Sequence, residues 1–257
     1  MKYFWGNIRN SFDFFLRRKI NLSRKNYSEH FVNISEIFDN EDEKHLYDLL
    51  CQKYDLSSFN DLSDRNFLEN IYYLNIFDKC LSKNDSDSIS ILDIGSKNWS
   101  YARSEYAFFN SFSKEFVLDG IELDAYRLCS NLYNRYEIAK FYTKNLSNAN
   151  YIVGDFMQHD KKYDYIIWIL PFITEYPLLK WGLPLKYFKP EKMLIHAYNS
   201  LKPHGEMLII NQGEKEYQIQ QELNKNIQTM PIYFGELPDS YGLFMNKRYG
   251  CKIIKSD

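Results

Sequence analysis

Three acidic side chains stand at the ends of successive strand-like segments of this 257-residue chain, where they could bind a ligand. Asp93 lies near the end of the first segment, Glu122 ends the second and Asp155 follows the third. The first segment, 89–94, is apolar on both faces, which is typical of a central strand in a parallel sheet covered by helices. Ligands of such sheets lie beyond the carboxyl ends of the strands. We therefore predict a binding site at these three carboxylates.

The turn after the first strand is a second indication of a ligand. Gly95 has no side chain, so the backbone can approach a ligand there, and Ser96 follows in the same turn. A buried strand that ends in glycine is common. The turn gains its weight from the carboxylates on the neighbouring strands.

Strand-like runs alternate with segments of helical periodicity from residue 89 onward, which predicts right-handed crossovers and a parallel sheet. After residue 214 the order changes to a polar helix followed by two runs with no helix between them, which predicts an antiparallel pair at the sheet edge. The predicted fold class is α/β, a doubly wound, mostly parallel seven-stranded sheet with an antiparallel edge pair and a helical N-terminal extension. The predicted strands are 89–94, 116–122, 151–153, 163–170, 207–211, 231–237 and 248–254.

The first 85 residues have a different pattern. They contain one glycine and no proline, and they show helical periodicity over 43–54 and 64–81. The polar segment 83–88 is the predicted boundary. We therefore divide the chain into a helical N-terminal extension, residues 1–85, which could cover a substrate, and an α/β domain, residues 86–257.

Charge and cysteine content argue against several classes of protein. The 34 acidic and 32 basic residues nearly cancel, so the chain as a whole carries no strong signal for nucleic acid. The four cysteines lie far apart without a CxxC pair, which argues against a structural zinc site and a disulfide framework, and we predict no metal ligands. No run approaches the roughly 18 apolar residues of a membrane span, and no signal peptide is recognisable. The predicted location is a reducing cytoplasm.

Residues 88–257 resemble the class I S-adenosylmethionine-dependent methyltransferases in their ordered motifs. The sequence ILDIGS at 91–96 is similar to the family's first motif, whose backbone packs against the methionine part of the cofactor. The sequence AYNSLKPHGEMLII at 197–210 is similar to the family's helix, "LKPGG" turn and fifth strand. This last match is the most specific of the set.

The resemblance implies S-adenosylmethionine as cofactor and assigns its binding residues. It implies that Glu122 binds the ribose hydroxyls and that Asp155 lies beside the adenine amino group. A carboxylate suits ribose because it can accept hydrogen bonds from both hydroxyls of the diol. Gly95 and Ser96 would complete the site, and Asp93 would either touch the cofactor or orient the loop.

The first loop departs from the family's pattern. Lys97 and Asn98 stand where later glycines are expected, so the loop either takes another path or binds the cofactor more weakly. A lysine ammonium in contact with a sulfonium costs about 1–4 kcal/mol in wet surroundings. We therefore expect Lys97 to point to solvent or to the cofactor's carboxylate.

Methyl transfer from a sulfonium is an in-line displacement, so the protein mainly supplies alignment and adds a base only where the nucleophile must lose a proton. A base is expected near the ends of the fourth and fifth strands, where the candidate catalytic residues are Glu175, Asn211 and Glu214. The two glutamates could equally be loop charges. The missing Asn/Asp-Pro-Pro-Phe/Tyr motif, of which only Pro171 and Phe172 remain, argues against methylation of planar adenine or glutamine amino groups. The acceptor is then a small molecule or a protein side chain.

The N-terminal 25 residues carry seven basic side chains against one acid, interleaved with the large apolar side chains of Phe4, Trp5, Phe12, Phe14, Phe15 and Leu16. Such a segment could lie on an anionic membrane surface, grip RNA or dock on the domain as a lid. We favour docking, because many enzymes of the resembled family carry helical N-terminal additions that cover the substrate.

Two other function classes stay open. A non-catalytic cofactor-binding or scaffold protein can have the same fold. The glycine-poor first loop favours this alternative, and the presence of both Glu122 and Asp155 at the strand ends opposes it. A nicotinamide-dependent oxidoreductase is the weaker alternative, because GxGxxG is absent and the fifth-strand motif matches methyltransferases.

Overall fold

A computed structural model describes residues 3–22, 24, 26–29, 37–38, 40–84, 86–238, 240 and 242–256. It contains one seven-stranded sheet. The strands are β1 (Ser88–Ile94), β2 (Glu115–Glu122), β3 (Ala149–Val153), β4 (Tyr163–Ile169), β5 (Leu201–Gln212), β6 (Ile232–Glu236) and β7 (Arg248–Ile254). The helices in these ranges are α1 (Phe4–Lys19), α2 (Glu41–Lys53), α3 (Asp64–Cys80), α4 (Ala102–Asn110), α5 (Arg135–Thr143), α6 (Glu175–Lys180), α7 (Pro190–Ser200) and α8 (Gly213–Asn224).

The strand order is β3-β2-β1-β4-β5-β7-β6. Strands β1 to β5 pair in parallel, whereas β7 pairs antiparallel with both β5 and β6. The predicted fold class is therefore confirmed, including the antiparallel edge pair. Strand order reverses between β1 and β4, which is where ligands of open α/β sheets bind.

The central strand β1 is buried on both faces. Ile91 lies in a core layer with residues of α3 and α4, and Leu92 lies in the opposite layer with residues of α7. Successive side chains of a strand point to opposite faces, which explains why this run is apolar throughout. Because α3 contributes Phe77 to the same core as Ile91, residues before 85 help to bury the sheet. The division of the chain at residue 85 stays a prediction.

One predicted helix is wrong in its first half. Apolar spacing from residue 125 onward predicts a helix, but residues 125–134 form turns and a short bridge, and α5 begins only at Arg135. Asn134 caps this helix, because its side chain accepts from the Glu137 N–H while the Glu137 side chain accepts from the Asn134 N–H. The cap places Arg135 in the first turn, from which its side chain reaches Glu122.

The N-terminal helix α1 docks against α6 and the chain that follows it. Phe14 is buried against Leu178 and Leu183, and the Asn10 side-chain amide donates to the Leu179 and Leu183 carbonyls at 2.9 and 3.2 Å. The Arg17 guanidinium donates to both oxygens of Asp124, at 3.0 and 2.9 Å. One face of α1 is thus fixed to the domain.

Throughout the described ranges, no helix combines the length and apolar character that crossing a bilayer requires.

Candidate functional site

A cleft opens at the carboxyl ends of β1, β2, β3 and β4. Apolar side chains form most of its wall, and its charged residues are Lys97, Glu122, Arg135, Asp155 and Lys189. Gly95 also lines it. Three of the predicted cofactor residues, Gly95, Glu122 and Asp155, therefore meet in one cleft.

Glu122 lies on the cleft wall, and its carboxylate already accepts three hydrogen bonds from the protein. One oxygen, Oε1, accepts from the Asp124 N–H at 2.8 Å and from Arg135 Nη1 at 2.9 Å, and Oε2 accepts from the Lys97 N–H at 3.0 Å. Glu122 and Arg135 are each only 5% exposed, so this is a buried ion pair. The carboxylate thus joins the end of β2 to the first loop and to the start of α5.

Asp155 follows β3 and has two roles available. Its Oδ1 accepts from the Met157 N–H at 3.0 Å and caps the short 3-10 turn Phe156–Gln158. The residue also lines the cleft. Because only one oxygen serves the cap, the other is available to a ligand.

Asp93 and Ser96 lie at the end of β1, fully buried, and neither lines the cleft. Burial raises the pKa of the Asp93 carboxyl to about 8, although the neighbouring Tyr101 hydroxyl and Lys97 ammonium act in the opposite direction. Burial, reinforced by Asp93, also raises the pKa of Glu105 well above its usual range. Two buried carboxyl groups, those of Asp93 and Glu105, thus lie near the end of β1.

The first loop holds three residues in the left-handed region. They are Gly95 at φ 73°, Lys97 at φ 55° and Trp99 at φ 51°. Asn98, predicted to stand at a glycine position, is not among them. Side chains in this region cost about 1 kcal/mol or more each, so Lys97 and Trp99 are strained. The Trp99 indole offsets part of this, since it packs on Gly120 and donates to Glu105 at 2.9 Å.

Lys97 lines the cleft instead of projecting into open solvent, contrary to one of the two expected orientations. Its Nζ lies 5.1 Å from the centre of the Trp181 ring, and the Arg135 guanidinium carbon lies 5.2 Å from the same centre. Burial, with Arg135 and Arg248 nearby, lowers the pKa of the Lys97 ammonium. That Lys97 meets a cofactor carboxylate stays a prediction.

The three predicted catalytic residues are not brought together in the cleft. Glu175, at the start of α6, and Glu214, in the first turn of α8, are exposed. Asn211 is fully buried near the end of β5, and its side-chain oxygen and nitrogen have no hydrogen-bond partner among the described residues. None of the three lines the cleft, and their catalytic roles stay predictions.

Sequence reasoning missed Arg135 as a partner of Glu122. The capping box over Asn134 and Glu137 is a local signal that could have placed Arg135 at a helix start. In the residues that the structure describes, no three His, Cys, Asp or Glu side chains converge as metal ligands.

No protein-family model and no curated protein matches this sequence. Among solved structures, the chain is similar to a protein from Listeria monocytogenes described as a class I S-adenosylmethionine-dependent methyltransferase. The two are 14% identical, the alignment covers 88% of this chain and 71% of the other, and the TM-score is 0.50. The chain has the class I methyltransferase fold.

Two further solved structures were found to be similar to this chain. A methyltransferase from Aquifex aeolicus is 12% identical over 84% of this chain and 99% of that one, with a TM-score of 0.49. The N-methyltransferase NodS from Bradyrhizobium japonicum is 11% identical over 76% of this chain and all of that one, with a TM-score of 0.47.

Proposed function

We propose that this chain is a methyltransferase that uses S-adenosylmethionine. The observation that carries the proposal is the meeting of Gly95, Glu122 and Asp155 in one cleft of a class I fold. When bound, S-adenosylmethionine supplies a methyl group on a sulfonium, which is an activated leaving group. The chain's own task is to bind and orient both reactants.

The residues of the cleft fit this cofactor. A carboxylate has about four acceptor positions, and Glu122 uses three of them, which leaves one for a ribose hydroxyl. The free oxygen of Asp155 suits the adenine amino group. Lys97 and Arg135 supply positive charge for the cofactor's carboxylate. In this proposal Asp93 and Ser96 lie beneath the first loop and do not touch the cofactor, because both are buried outside the cleft.

We place the methyl acceptor beside the segment 171–184, between it and the end of β5. Phe172, Leu178 and Trp181 line that side of the cleft, which favours an acceptor with an apolar part. Asn211 would align the acceptor, and Glu214 or Glu175 would remove its proton where the nucleophile carries one. The acceptor is a small molecule or a protein side chain.

Replacing Asn211 or Glu214 by alanine is expected to lower the rate of methyl transfer while cofactor affinity stays nearly unchanged, because alignment and proton removal act on the acceptor. Two titrations on each variant, one of cofactor binding and one of methyl transfer to an acceptor found by screening metabolites and peptides, measure this. Glu115→Ala is the matched control, since Glu115 is exposed at the opposite end of the sheet. Equal losses in both titrations would move the residues into the cofactor site, and no loss would remove them from the acceptor site.

The N-terminal extension is proposed to cap the acceptor side. The support is the docking of α1 on α6 and its flanking chain, which line the cleft. An Asn7→Ala/Asn10→Ala/Arg17→Ala variant removes the side-chain hydrogen bonds that hold α1 to Leu185, to the Leu179 and Leu183 carbonyls and to Asp124. In the same two titrations it should lose turnover more than cofactor affinity, and equal losses would contradict a cap.

Three observations favour the alternative of a non-catalytic protein. The Arg135 guanidinium already binds the Glu122 carboxylate. The first loop also has non-glycine residues, Lys97 and Trp99, in the left-handed region. The cleft also measures only about 110 Å³, whereas pockets for small molecules span roughly 300–1,000 Å³. On the methyltransferase proposal the cleft must therefore widen when the cofactor enters, and the Trp181 side chain, which is 39% exposed, lies on its wall.

Calorimetry with S-adenosylmethionine, S-adenosylhomocysteine and NAD in parallel tests the proposed function. We expect both sulfur nucleosides to bind and NAD to give no heat. Binding of NAD alone would favour the oxidoreductase alternative. Heat from neither sulfur nucleoside would contradict the proposal and favour a scaffold.

The four cysteines are free thiols, which supports the proposed reducing, cytoplasmic location.

A further inference from the structure

Helix α1 has one face that docks on the domain and another that does not. The docked face carries Asn10, Phe14 and Arg17, whose contacts hold the helix to α6 and to Asp124. On an α-helix these three positions fall within a narrow arc, since successive residues turn by about 100°. The docking contacts therefore leave the opposite side of the helix open.

The open side carries a continuous apolar stripe. It consists of Phe4, Trp5, Ile8, Phe12 and Phe15, which are 58%, 80%, 45%, 61% and 55% exposed. At about 100° per residue, the five positions span an arc of about 100°. Exposed apolar residues are ordinary when scattered singly, but a stripe of this kind marks an interaction surface.

Basic residues border this outward stripe. At about 100° per residue the exposed Arg9 and Arg18 flank the arc of the stripe, and the exposed Lys19 lies within that arc, one turn beyond Phe15. The acid of α1, Asp13, is paired with Arg9 at 3.5 Å. Beyond the helix, Ile20 and Leu22 are also more than half exposed. Lys2 and Lys25, counted with the basic residues of this segment, lie outside the described residues.

We propose that the outward stripe of α1 binds the surface of an anionic lipid bilayer. A helix with Phe, Trp and Ile on one side and Lys and Arg at the borders lies in the membrane interface, where the rings enter the acyl boundary and the cations meet lipid phosphates. With 16 residues and a polar docked face, α1 is suited to lie on a bilayer. The charge of the bordering residues favours an anionic surface over a second copy of this chain, because a two-fold contact between two stripes would bring the cations of both copies together.

The docked state of α1 is compatible with this binding. Insertion of the stripe uses side chains that make no docking contact, and the pair between Arg17 and the nearly buried Asp124 keeps the helix on the domain. The proposal is independent of the reaction in the cleft, because it rests on the outward side of the helix alone.

Sedimentation of the full chain with vesicles tests the proposal. Phosphatidylcholine vesicles that contain phosphatidylglycerol should bind the protein, and pure phosphatidylcholine should bind it much more weakly. Trp5 is mostly exposed, so its fluorescence should shift to the blue on binding, and a Trp5→Phe variant should lose that part of the shift. Equal binding to both vesicle types, or to neither, would overturn the proposal.

Variants of the stripe separate lipid binding from other causes. Phe4→Ser/Phe12→Ser/Phe15→Ser should weaken vesicle binding by at least about tenfold, since each ring loses its transfer from water. Its thermal unfolding should match that of the wild type, because the three rings are exposed. The control is Met230→Ser/Met245→Ser, which removes two exposed apolar side chains away from α1 and should bind normally.

Three results with these variants would overturn the proposal. The first is unchanged vesicle binding by the triple serine variant. The second is a dimer in sedimentation equilibrium that this variant dissolves, which would assign the stripe to a second copy of the chain. The third is RNA binding that Arg9→Gln/Arg18→Gln/Lys19→Gln abolishes while vesicle binding persists.

Discussion

The Glu122→Ala variant is expected to lose about 3–5 kcal/mol of unfolding free energy. The substitution removes one member of a buried ion pair, so the Arg135 guanidinium loses its carboxylate while it stays almost fully buried. It also removes the acceptor of the Lys97 and Asp124 N–H groups. Urea unfolding followed by circular dichroism at neutral pH measures the loss.

A second variant separates the ion pair from the remaining contacts of Glu122. Glu122→Ala/Arg135→Met removes both charges and keeps an apolar side chain beside Trp181. It should recover a large part of the lost stability, since no charge is left buried alone. A single variant within 1 kcal/mol of the wild type, or a double variant no more stable than the single one, would contradict the structural role of this pair.

Asp93→Asn is expected to make the protein more stable, with a much larger gain at pH 8 than at pH 5. Burial raises the pKa of Asp93 to about 8 in the folded chain, whereas an unfolded chain ionises Asp near pH 4. Between these values the folded state binds the extra proton, so stability falls as pH rises. The full loss is of the order of several kcal/mol above pH 8. Asparagine stays neutral at every pH, so the Asp93→Asn variant avoids this loss of stability.

Urea unfolding of both proteins at pH 5 and pH 8 measures this difference. The slope with pH should decrease in Asp93→Asn and persist in part, because Glu105 is also buried with a raised pKa. Asp160→Asn is the control, since Asp160 is exposed. Equal slopes in the wild type and in Asp93→Asn would show that Asp93 does not set the pH dependence.

The sheet could be predicted from the sequence because its signals are local. The strands β1 and β2 each begin one residue before their apolar runs and end where predicted, since turns bound those runs. The start of β5 was missed, because the strand begins at Leu201 and runs through Pro203 and His204. His204 takes a φ of 61°, so this part of β5 is irregular and has no apolar pattern.

The candidate site could be predicted only in part. Glu122 and Asp155 come to the cleft because strand ends of a parallel sheet share one edge, and periodicity reveals strand ends. The pairing of Glu122 with Arg135 was missed, because it depends on where the turns of 125–134 end. No pattern within that segment encodes the distance between the two side chains.

The first loop shows a second limit of sequence reasoning. Glycine is expected where φ is positive, so Lys97 and Asn98 suggested a different path. The structure has positive φ at Lys97 and Trp99, because contacts of these side chains with Trp181, Gly120 and Glu105 accompany the strained backbone. Such tertiary contacts override local preference, and a single sequence does not reveal them.

Binding of S-adenosylhomocysteine to the wild type and to Asp155→Asn, measured by calorimetry, tests the central claim most directly. Asparagine keeps the oxygen that caps the turn at Met157 but replaces the free oxygen with an amino group, which cannot accept from adenine. We predict that the wild type binds and that Asp155→Asn binds about tenfold more weakly or worse, with unchanged thermal unfolding. Absence of binding by the wild type, or equal affinities of the two proteins, would contradict a cofactor site in this cleft.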